Sequence, residues 1–571
     1  MFGRPGSVTF VAFTLFAAAS CSRPAARRRN PRPTVPPSPS AASTSPDEHV
    51  EAPPPKAEPS APVAPAYEPA PYVDPGMRVE AEFRCEGASA ALSLRVDGKQ
   101  LIDTTGTPLF TESECEVDVS FERTPIGGKL RFDVRNPMDE AVKAPAFPID
   151  VKMTADASYL DAARVPFMSR SKYKRTHQAH TWPGVCYSPI TGFAEEGVFV
   201  GLSLQYPLCE YRQVFSVRAF WNRNAWRSLF APTDKWPENE KKVRGRVWPG
   251  SLAAGATRSY VVSVGFARAD AWVNAFVDYK NHFRAQFGPL RYEKNPRPVA
   301  AISFGHSGLL SDDSPRGYGY RLDRVGWKPF VDAYLGKHAP RGWRRFMIWQ
   351  SAGSYRVHKD TNMVFEIGTG WPEKAVDTAG ELQRLVAADV QIGLWMGRAT
   401  TLSQGFDSGV RWAIDVRKAS DWELFTREID LARSRGMRML GMDDTHATHR
   451  TDWHPAGWEL VADDGFFPKV RAAYPDMHLV VEPAASDFHN LWGSSFVWDY
   501  HTHGPAVWPE YLIPGVEINA VMKRGRMNDK TPGAHADPKH FNRLVEWGYV
   551  PLVFQTIGNP PFDVSDGTAR E

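Results

Sequence analysis

The chain has 571 residues, of which 42% are hydrophobic and 12% aromatic, and its formal net charge is +3. At roughly 100–200 residues per domain, this length predicts two to four domains. The nearly balanced charge excludes the strongly basic surface typical of nucleic-acid-binding proteins, so we expect no nucleic-acid partner.

The beginning of the chain has the pattern of an export signal. Arg4 precedes an apolar stretch, residues 8–19, that is shorter than the roughly 20 residues needed to span a bilayer. The stretch ends in Ala18-Ala19-Ser20-Cys21, which resembles a bacterial lipobox, whose Cys is lipidated and becomes the mature N-terminus. We therefore predict a lipoprotein signal peptide over residues 1–21 and a lipid anchor on Cys21, with an ordinary secretory signal as the alternative. Ser22, by analogy with enteric lipoproteins, favours the outer membrane of the cell envelope.

Residues 22–76 are rich in Pro, Ala and Ser and contain few large aliphatic side chains. Such a segment buries too little apolar surface to offset the entropy lost on ordering. We predict a disordered linker between the membrane and the first folded domain.

Four cysteines remain beyond Cys21, and an even number in an oxidising compartment predicts two disulfides. The nearest-neighbour pairing, Cys85–Cys115 with Cys186–Cys209, is one of three possibilities.

Residues 77–270 alternate apolar and polar side chains in short runs, which is typical of half-buried antiparallel strands. The alternating runs are residues 79–83, 92–96, 117–121 and 130–134, and later strands are predicted at Val198–Leu204 and Tyr260–Phe266. They predict an all-β sandwich, either one large sandwich or two small ones. A connector over residues 271–298 follows, with a helix predicted from Trp272 to Phe287.

Residues 299–571 alternate short apolar runs with amphipathic segments, which predicts parallel strands buried on both faces. The eight runs are Ala301–Gly305, Phe346–Gln350, Gln391–Met396, Met437–Asp443, His478–Glu482, Phe496–Tyr500, Glu517–Val521 and Val550–Phe554. The clearest helices are Glu373–Ala388, Trp422–Ser434, Phe466–Tyr474 and Pro538–Trp547, and the helix between strands six and seven is unclear. Eight such units predict a (β/α)8 TIM barrel, with an open doubly wound sheet as the alternative.

Strong polar groups follow the apolar strands at the end where a TIM barrel places its active site. Asp443 ends strand four and Asp499 lies at the end of strand six. Glycoside hydrolysis needs two carboxyl groups across the scissile bond, one as acid and one as nucleophile or base. We predict Asp443 and Asp499 as this pair, with capping of the next helix as the structural alternative for each.

The barrel half resembles the melibiase-type clan, the α-galactosidases and their relatives. Met439-Leu440-Gly441-Met442-Asp443 matches the place of the clan's nucleophile, and Phe496-Val497-Trp498-Asp499 that of its acid/base. Asp312 and Asp313, after strand one, resemble the clan's sugar-hydroxyl ligands. Gly441 departs from the pattern, since the clan usually has Lys at that position. The resemblance implies a retaining glycosidase that acts on a carbohydrate substrate and needs no cofactor.

Other polar and aromatic residues near these strand ends are candidates for substrate binding. They are Asp444, Glu482, His501, Trp349, Trp395 and Arg398. Glu482 is also a candidate to replace one member of the catalytic pair, whereas Glu517 begins its strand and fits that role poorly. The tryptophans are typical of a sugar-stacking floor, although each is also a common core residue.

Two further functions stay open. His446, His449, His454, His501 and His503, with Asp443 and Asp444, have the side chains of a divalent-metal site and of a metal-dependent hydrolase or deacetylase. The missing Lys instead favours a non-catalytic surface lipoprotein that binds glycans with a degenerate barrel.

Overall fold

The computed structural model describes most of the chain beyond residue 66. The described residues are 67–86, 89–162, 164–169, 178–183, 186–211, 213–233, 250–305, 320–321, 327–349, 355–358, 361–365, 379–396, 416–442, 461, 463–481, 486–498, 502–522 and 538–555. Cys21 and the predicted signal peptide lie outside them. Among the described helices, none has the length and apolar character to cross a membrane.

The first part of the described chain is one large antiparallel sandwich. One sheet contains β1 (Val79–Glu86), β2 (Ser89–Val96), β3 (Lys99–Asp103), β7 (Phe147–Val151), β14 (Ala225–Thr233), β13 (Val214–Asn222) and β10 (Gln178–Trp182). The other contains β4 (Glu116–Thr124), β5 (Gly127–Arg135), β16 (Thr257–Arg268), β12 (Val198–Gln205), β11 (Ile190–Glu195), β8 (Ser158–Asp161) and β9 (Phe167–Ser169). A small pair, β6 (Val142–Lys143) with β15 (Ser251–Leu252), and helix α1 (Leu208–Tyr211) complete it.

Alternation along the strands builds the sandwich core. In β5, Leu130, Phe132 and Val134 are fully buried and the intervening side chains are more exposed. The ring of Phe132 lies 4.5 Å from that of Phe147 in the opposite sheet, between ring centroids. Side chains from both sheets therefore meet in one core, which confirms the all-β prediction and selects the single large sandwich.

The connector begins with a 3₁₀ helix, Ala269–Phe276, and continues as α2 (Val277–Phe287), where the sequence predicted one helix. It packs on the outer face of the second sheet at two glycines. A Cβ on Gly201 would lie 2.8 Å from the Phe276 ring, and one on Gly265 would meet the backbone oxygen of Ala275. This close approach explains why β12, unlike a one-sided strand, is buried along nearly its whole length.

The second part is a closed barrel of eight parallel strands. They are β17 (Val299–Gly305), β19 (Arg345–Trp349), β22 (Gln391–Met396), β23 (Met437–Met442), β24 (His478–Val481), β25 (Ser494–Trp498), β26 (Ile518–Met522) and β27 (Val550–Gln555). Pairing of β17 with β27 closes the sheet, so the barrel prediction is confirmed and the open sheet is excluded. Strands β18 (Tyr320–Arg321), β20 (Tyr355–His358) and β21 (Thr361–Phe365) are short additions.

One apolar layer fills the middle of the barrel. It contains one side chain from each of seven strands: Val299, Met347, Met439, Val480, Phe496, Val521 and Leu552. The remaining strand, β22, contributes Gly393, where a Cβ would lie 2.6 Å from Cε of Met439 and 2.9 Å from Sδ of Met347. The two methionines occupy the space of the missing side chain, so the barrel is a packed core and its function lies at its ends.

Helices cover the outside of the barrel, and those within the described residues form an uneven set. They are α3 (Lys328–Ala333), α4 (Ala379–Ala387), α5 (Ala419–Ser434), α6 (Phe466–Ala473), α7 (Val507–Leu512) and α8 (Pro538–Glu546). The helix between strands six and seven, unclear from the sequence, is the short α7. Between β24 and β25 a 3₁₀ turn, Asp487–Leu491, stands in place of an α-helix. The ring of Phe488 on this turn lies 5.3 Å from that of Phe287 in the connector, which covers this side of the barrel.

The prediction of two disulfides among the four cysteines is wrong. Cys115 and Cys186 are free thiols. Sγ of Cys186 is buried and lies 2.8 Å from the carbonyl oxygen of Ser188, and Sγ of Cys115 lies 3.8 Å from that of Lys143. The parity of the cysteine count therefore gave no guide to pairing.

Candidate active site

The carboxyl ends of the barrel strands meet at one rim, because all eight strands are parallel and the sheet is closed. Strand β23 ends at Met442, one residue before Asp443, and β25 ends at Trp498, one residue before Asp499. Strand β24, which ends at Val481, pairs with both of these strands and lies between them in the sheet.

The predicted site residues themselves lie outside the described residues or are described only in their backbone. The first group is Asp312, Asp313, Arg398, Asp443, Asp444, Glu482, Asp499 and His501. In the backbone, Trp349 is the last residue of strand β19 and Trp395 is the last but one of strand β22. These assignments stay predictions. Within the described part of the chain, no group of three His, Cys, Asp or Glu side chains has the arrangement of a metal site.

The opposite end of the barrel is closed by a buried polar floor, which we define as Arg345, Gln391, His478, Ser494, Glu517 and Asn519. The fully buried guanidinium of Arg345 lies 3.0 Å from the carboxylate of Glu517. Arg345 also donates to Gln391 Oε1 at 3.1 Å and to the carbonyl oxygen of Asn295 at 2.8 Å. These bonds tie the connector to the first strands of the barrel.

His478, Ser494 and Asn519 of the polar floor form a hydrogen-bonded chain that reaches the carboxylate of Glu517. Nε2 of His478 lies 3.4 Å from its carboxylate and 3.0 Å from Ser494 Oγ, which accepts a further bond from Asn519 Nδ2 at 2.8 Å. Burial alone would raise the pKa of Glu517, but His478, Arg345 and the amide of Asn295 together lower it to about 2. The floor therefore keeps a compensated ion pair inside the barrel, and it holds the strands whose far ends form the rim.

A second buried acid lies at the domain seam, which we define as Ser188, Tyr279, Asp487 and Trp508. Oδ2 of Asp487 accepts hydrogen bonds from Ser188 Oγ and from the Tyr279 hydroxyl, each at 2.6 Å. The indole of Trp508 donates to Ser188 Oγ at 3.0 Å. One carboxyl group thus joins the sandwich, the connector helix and the barrel.

The environment of Asp487 disfavours its charged form. Burial raises its pKa to about 6, although the hydrogen bonds from Ser188 and Tyr279 act in the opposite direction. Among the described residues, the hydrogen-bond partners of Asp487 are neutral hydroxyl and N–H donors, which do not offset this burial with a positive charge. The sequence offered no signal for this contact, because Ser188 and Asp487 are 299 positions apart.

The chain is similar to several solved structures, although no protein-family profile and no curated protein matches its sequence. An α-N-acetylgalactosaminidase from Bifidobacterium bifidum gives a TM-score of 0.46 at 11% identity, with 84% of this chain and 89% of that chain covered. An α-galactosidase from Thermus thermophilus gives 0.39 at 13% identity, with 76% and 90% covered. An α-galactosidase from Lactobacillus brevis gives 0.38 at 10% identity, with 83% and 70% covered. Similarities this remote assign no activity to the chain.

Proposed function

We propose that the chain is an extracytoplasmic glycoside hydrolase that cleaves O-glycosidic bonds by a two-carboxylate, retaining mechanism. Asp443 would be the nucleophile and Asp499 the general acid/base, and a carbohydrate would be the substrate. The observation that carries the proposal is the closed barrel, whose strands β23 and β25 end directly before these two residues. The lipobox-like leader supports export and anchoring through Cys21 in the envelope.

The apolar middle layer supports a common height for the two acids. Met439 and Phe496 belong to the same layer of the barrel interior. Asp443 is four residues beyond Met439, and Asp499 is three residues beyond Phe496. At about 3.3 Å per residue, both positions are expected roughly 10–13 Å further toward the rim. Two strands apart at about 4.8 Å each, inward-pointing carboxyl groups would approach the short separation that retention requires.

The alternation of side chains supports Asp443 more directly than Asp499. Successive residues of a strand face opposite sides, so positions two and four beyond an inward residue also face inward. Asp443 follows Met439 by four and Glu482 follows Val480 by two, whereas Asp499 follows Phe496 by three. For the side chain of Asp499 to face the barrel interior at the rim, the backbone must leave the extended strand conformation directly after β25. Glu482 is therefore the alternative acid/base.

Three variants test these roles. Asp443→Asn is expected to abolish hydrolysis across an aryl-glycoside panel while thermal unfolding stays at the wild-type temperature. Asp499→Asn is expected to lower kcat about 10²–10⁴-fold on poor leaving groups, and azide should restore turnover of activated ones. Azide rescue of Glu482→Gln instead would transfer the acid/base role to Glu482. Full activity of Asp443→Asn would refute the mechanism.

The second candidate is a non-catalytic glycan-binding lipoprotein, and Gly441 is the observation that favours it. The resembled clan usually carries Lys at this position, and glycine supplies no side chain to a substrate. This function predicts binding of glycans by wild type and by Asp443→Asn alike, without turnover of any member of the panel.

A further inference from the structure

A groove of about 900 Å³ opens at the base of the barrel, at the end opposite the proposed catalytic rim. Its walls are residues 290–297 of the connector together with Arg471 and residues 475–478, which lead into β24. Gln391, the first residue of β22, contributes to the lining. The volume falls within the roughly 300–1,000 Å³ of small-molecule sites.

The charges that line the groove are unequal. Four cationic side chains, Arg291, Lys294, Arg297 and Arg471, line it with two carboxylates, Glu293 and Asp476. Asp476 is already neutralised from outside the groove, because its carboxylate lies 2.6 Å from Arg433 and 3.3 Å from Arg438. Lys294 and Arg297 have carboxylate partners of their own, at 3.9 Å and 2.8 Å. Within the described residues, the cations of the lining that have no ion-pair partner are therefore Arg291 and Arg471, and the one carboxylate left to oppose them is that of Glu293.

These two arginines are held in place by groups that do not cancel their charge. Arg471 donates to the carbonyl oxygens of Met477 and Trp492, each at 2.7 Å. The guanidinium of Arg291 lies over the ring of Trp492, 4.2 Å from its centroid. Burial lowers the pKa of both guanidinium groups. The negative charge of Asp463 raises the pKa of Arg291, but Asp463 forms no ion pair with Arg291 within the described residues. Arg471 is thus a half-buried cation and Arg291 an exposed one, and the guanidinium of each is held by its neighbours.

We propose that this groove binds the oxyanion of a carboxylate, sulfate or phosphate, with Arg291 and Arg471 as its main contacts. A planar guanidinium that is partly desolvated and already oriented binds such oxygens through paired, charge-assisted hydrogen bonds. Lys294, an exposed side chain of the groove lining, would add electrostatic attraction without a fixed bonding geometry. The sources of this chemistry are an acidic oligosaccharide or free inorganic phosphate, and binding does not depend on the proposed hydrolase activity.

Calorimetric titration of the full chain tests the site with four probes. They are an oligogalacturonate, its neutral methyl ester, a sulfated oligosaccharide and inorganic phosphate. We expect the charged probes to bind and the ester not to bind, with affinity falling as salt rises to about 0.15 M. If phosphate binds as tightly as the oligosaccharides, the ligand is identified as a free oxyanion. If phosphate binds more weakly than they do, the ligand is identified as an acidic saccharide. Equal binding of acid and ester, or no binding, would overturn the proposal.

Three variants locate the binding. Arg291→Gln and Lys294→Gln leave the carbonyl contacts of Arg471 intact, and Arg291→Gln is expected to weaken the charged probes about tenfold or more, since a charge-assisted bond contributes about 1.5–3 kcal/mol. Lys294→Gln should have a smaller effect. Arg78→Gln is the matched control, because Arg78 is 80% exposed on the sandwich and pairs with Glu80. Wild-type affinity in Arg291→Gln, or equal loss in the control, would contradict the site.

Discussion

Asp487→Asn tests whether the domain seam holds an acid that resists ionisation. The pKa of Asp487 is raised by burial to about 6, whereas an unfolded chain has an Asp pKa of about 3.9. The folded state therefore binds the proton more tightly. At pH below about 4 both states are protonated, and as pH rises through 6 the folded state loses about 3 kcal/mol of stability from this group. Acidification from pH 7 to pH 4.5 should therefore restore about 2 kcal/mol of the free energy of unfolding.

The assay compares urea unfolding of wild type and Asp487→Asn at pH 4.5 and pH 7. Asn resembles the protonated acid in size, and its oxygen still accepts hydrogen bonds from Ser188 and Tyr279. Wild type should gain about 2 kcal/mol relative to the variant on acidification. The difference between the two proteins isolates Asp487, because all other titrating groups are common to both. Parallel stability profiles for the two proteins would refute this account of the seam.

The buried ion pair of the polar floor and two tightly packed glycines give further predictions. Glu517→Gln should cost about 3–5 kcal/mol, because it leaves the buried charge of Arg345 uncompensated. Glu510→Gln is its control, since that side chain is 54% exposed, and equal unfolding midpoints would contradict the polar floor. Gly265→Ala should destabilise more than Gly393→Ala. The new Cβ meets fixed backbone at Gly265 and only flexible methionine ends at Gly393, where about 1–3 kcal/mol is expected. The reverse order in thermal unfolding would contradict the packing described.

The barrel was predictable because its strands are buried on both faces. A run such as Met437–Met442 is continuously apolar except for Arg438, and every barrel strand begins and ends within two residues of its prediction. The sandwich was predictable for the opposite reason, since β5 alternates buried and exposed side chains along its length. Local periodicity thus contained most of the architecture.

What could not be predicted are contacts between residues far apart in the chain. Arg345 and Glu517 are 172 positions apart, and a charged residue at the start of an apolar strand was their only signal. The change from 3₁₀ to α-helix after Phe276 and the 3₁₀ turn at Asp487 lie where the connector packs on the barrel, with Phe276 against Trp508 and Phe287 against Phe488. Propensity along a single segment does not encode such packing.

The separation of the Asp443 and Asp499 carboxyl groups in a crystal structure tests the central proposal most directly. A retaining glycosidase requires these groups about 5–5.5 Å apart across a shared pocket. That value, at the rim formed by the ends of β23 and β25, is the result expected. Carboxyl groups further apart than about 9.5 Å, or facing separate pockets, would contradict the two-carboxylate mechanism.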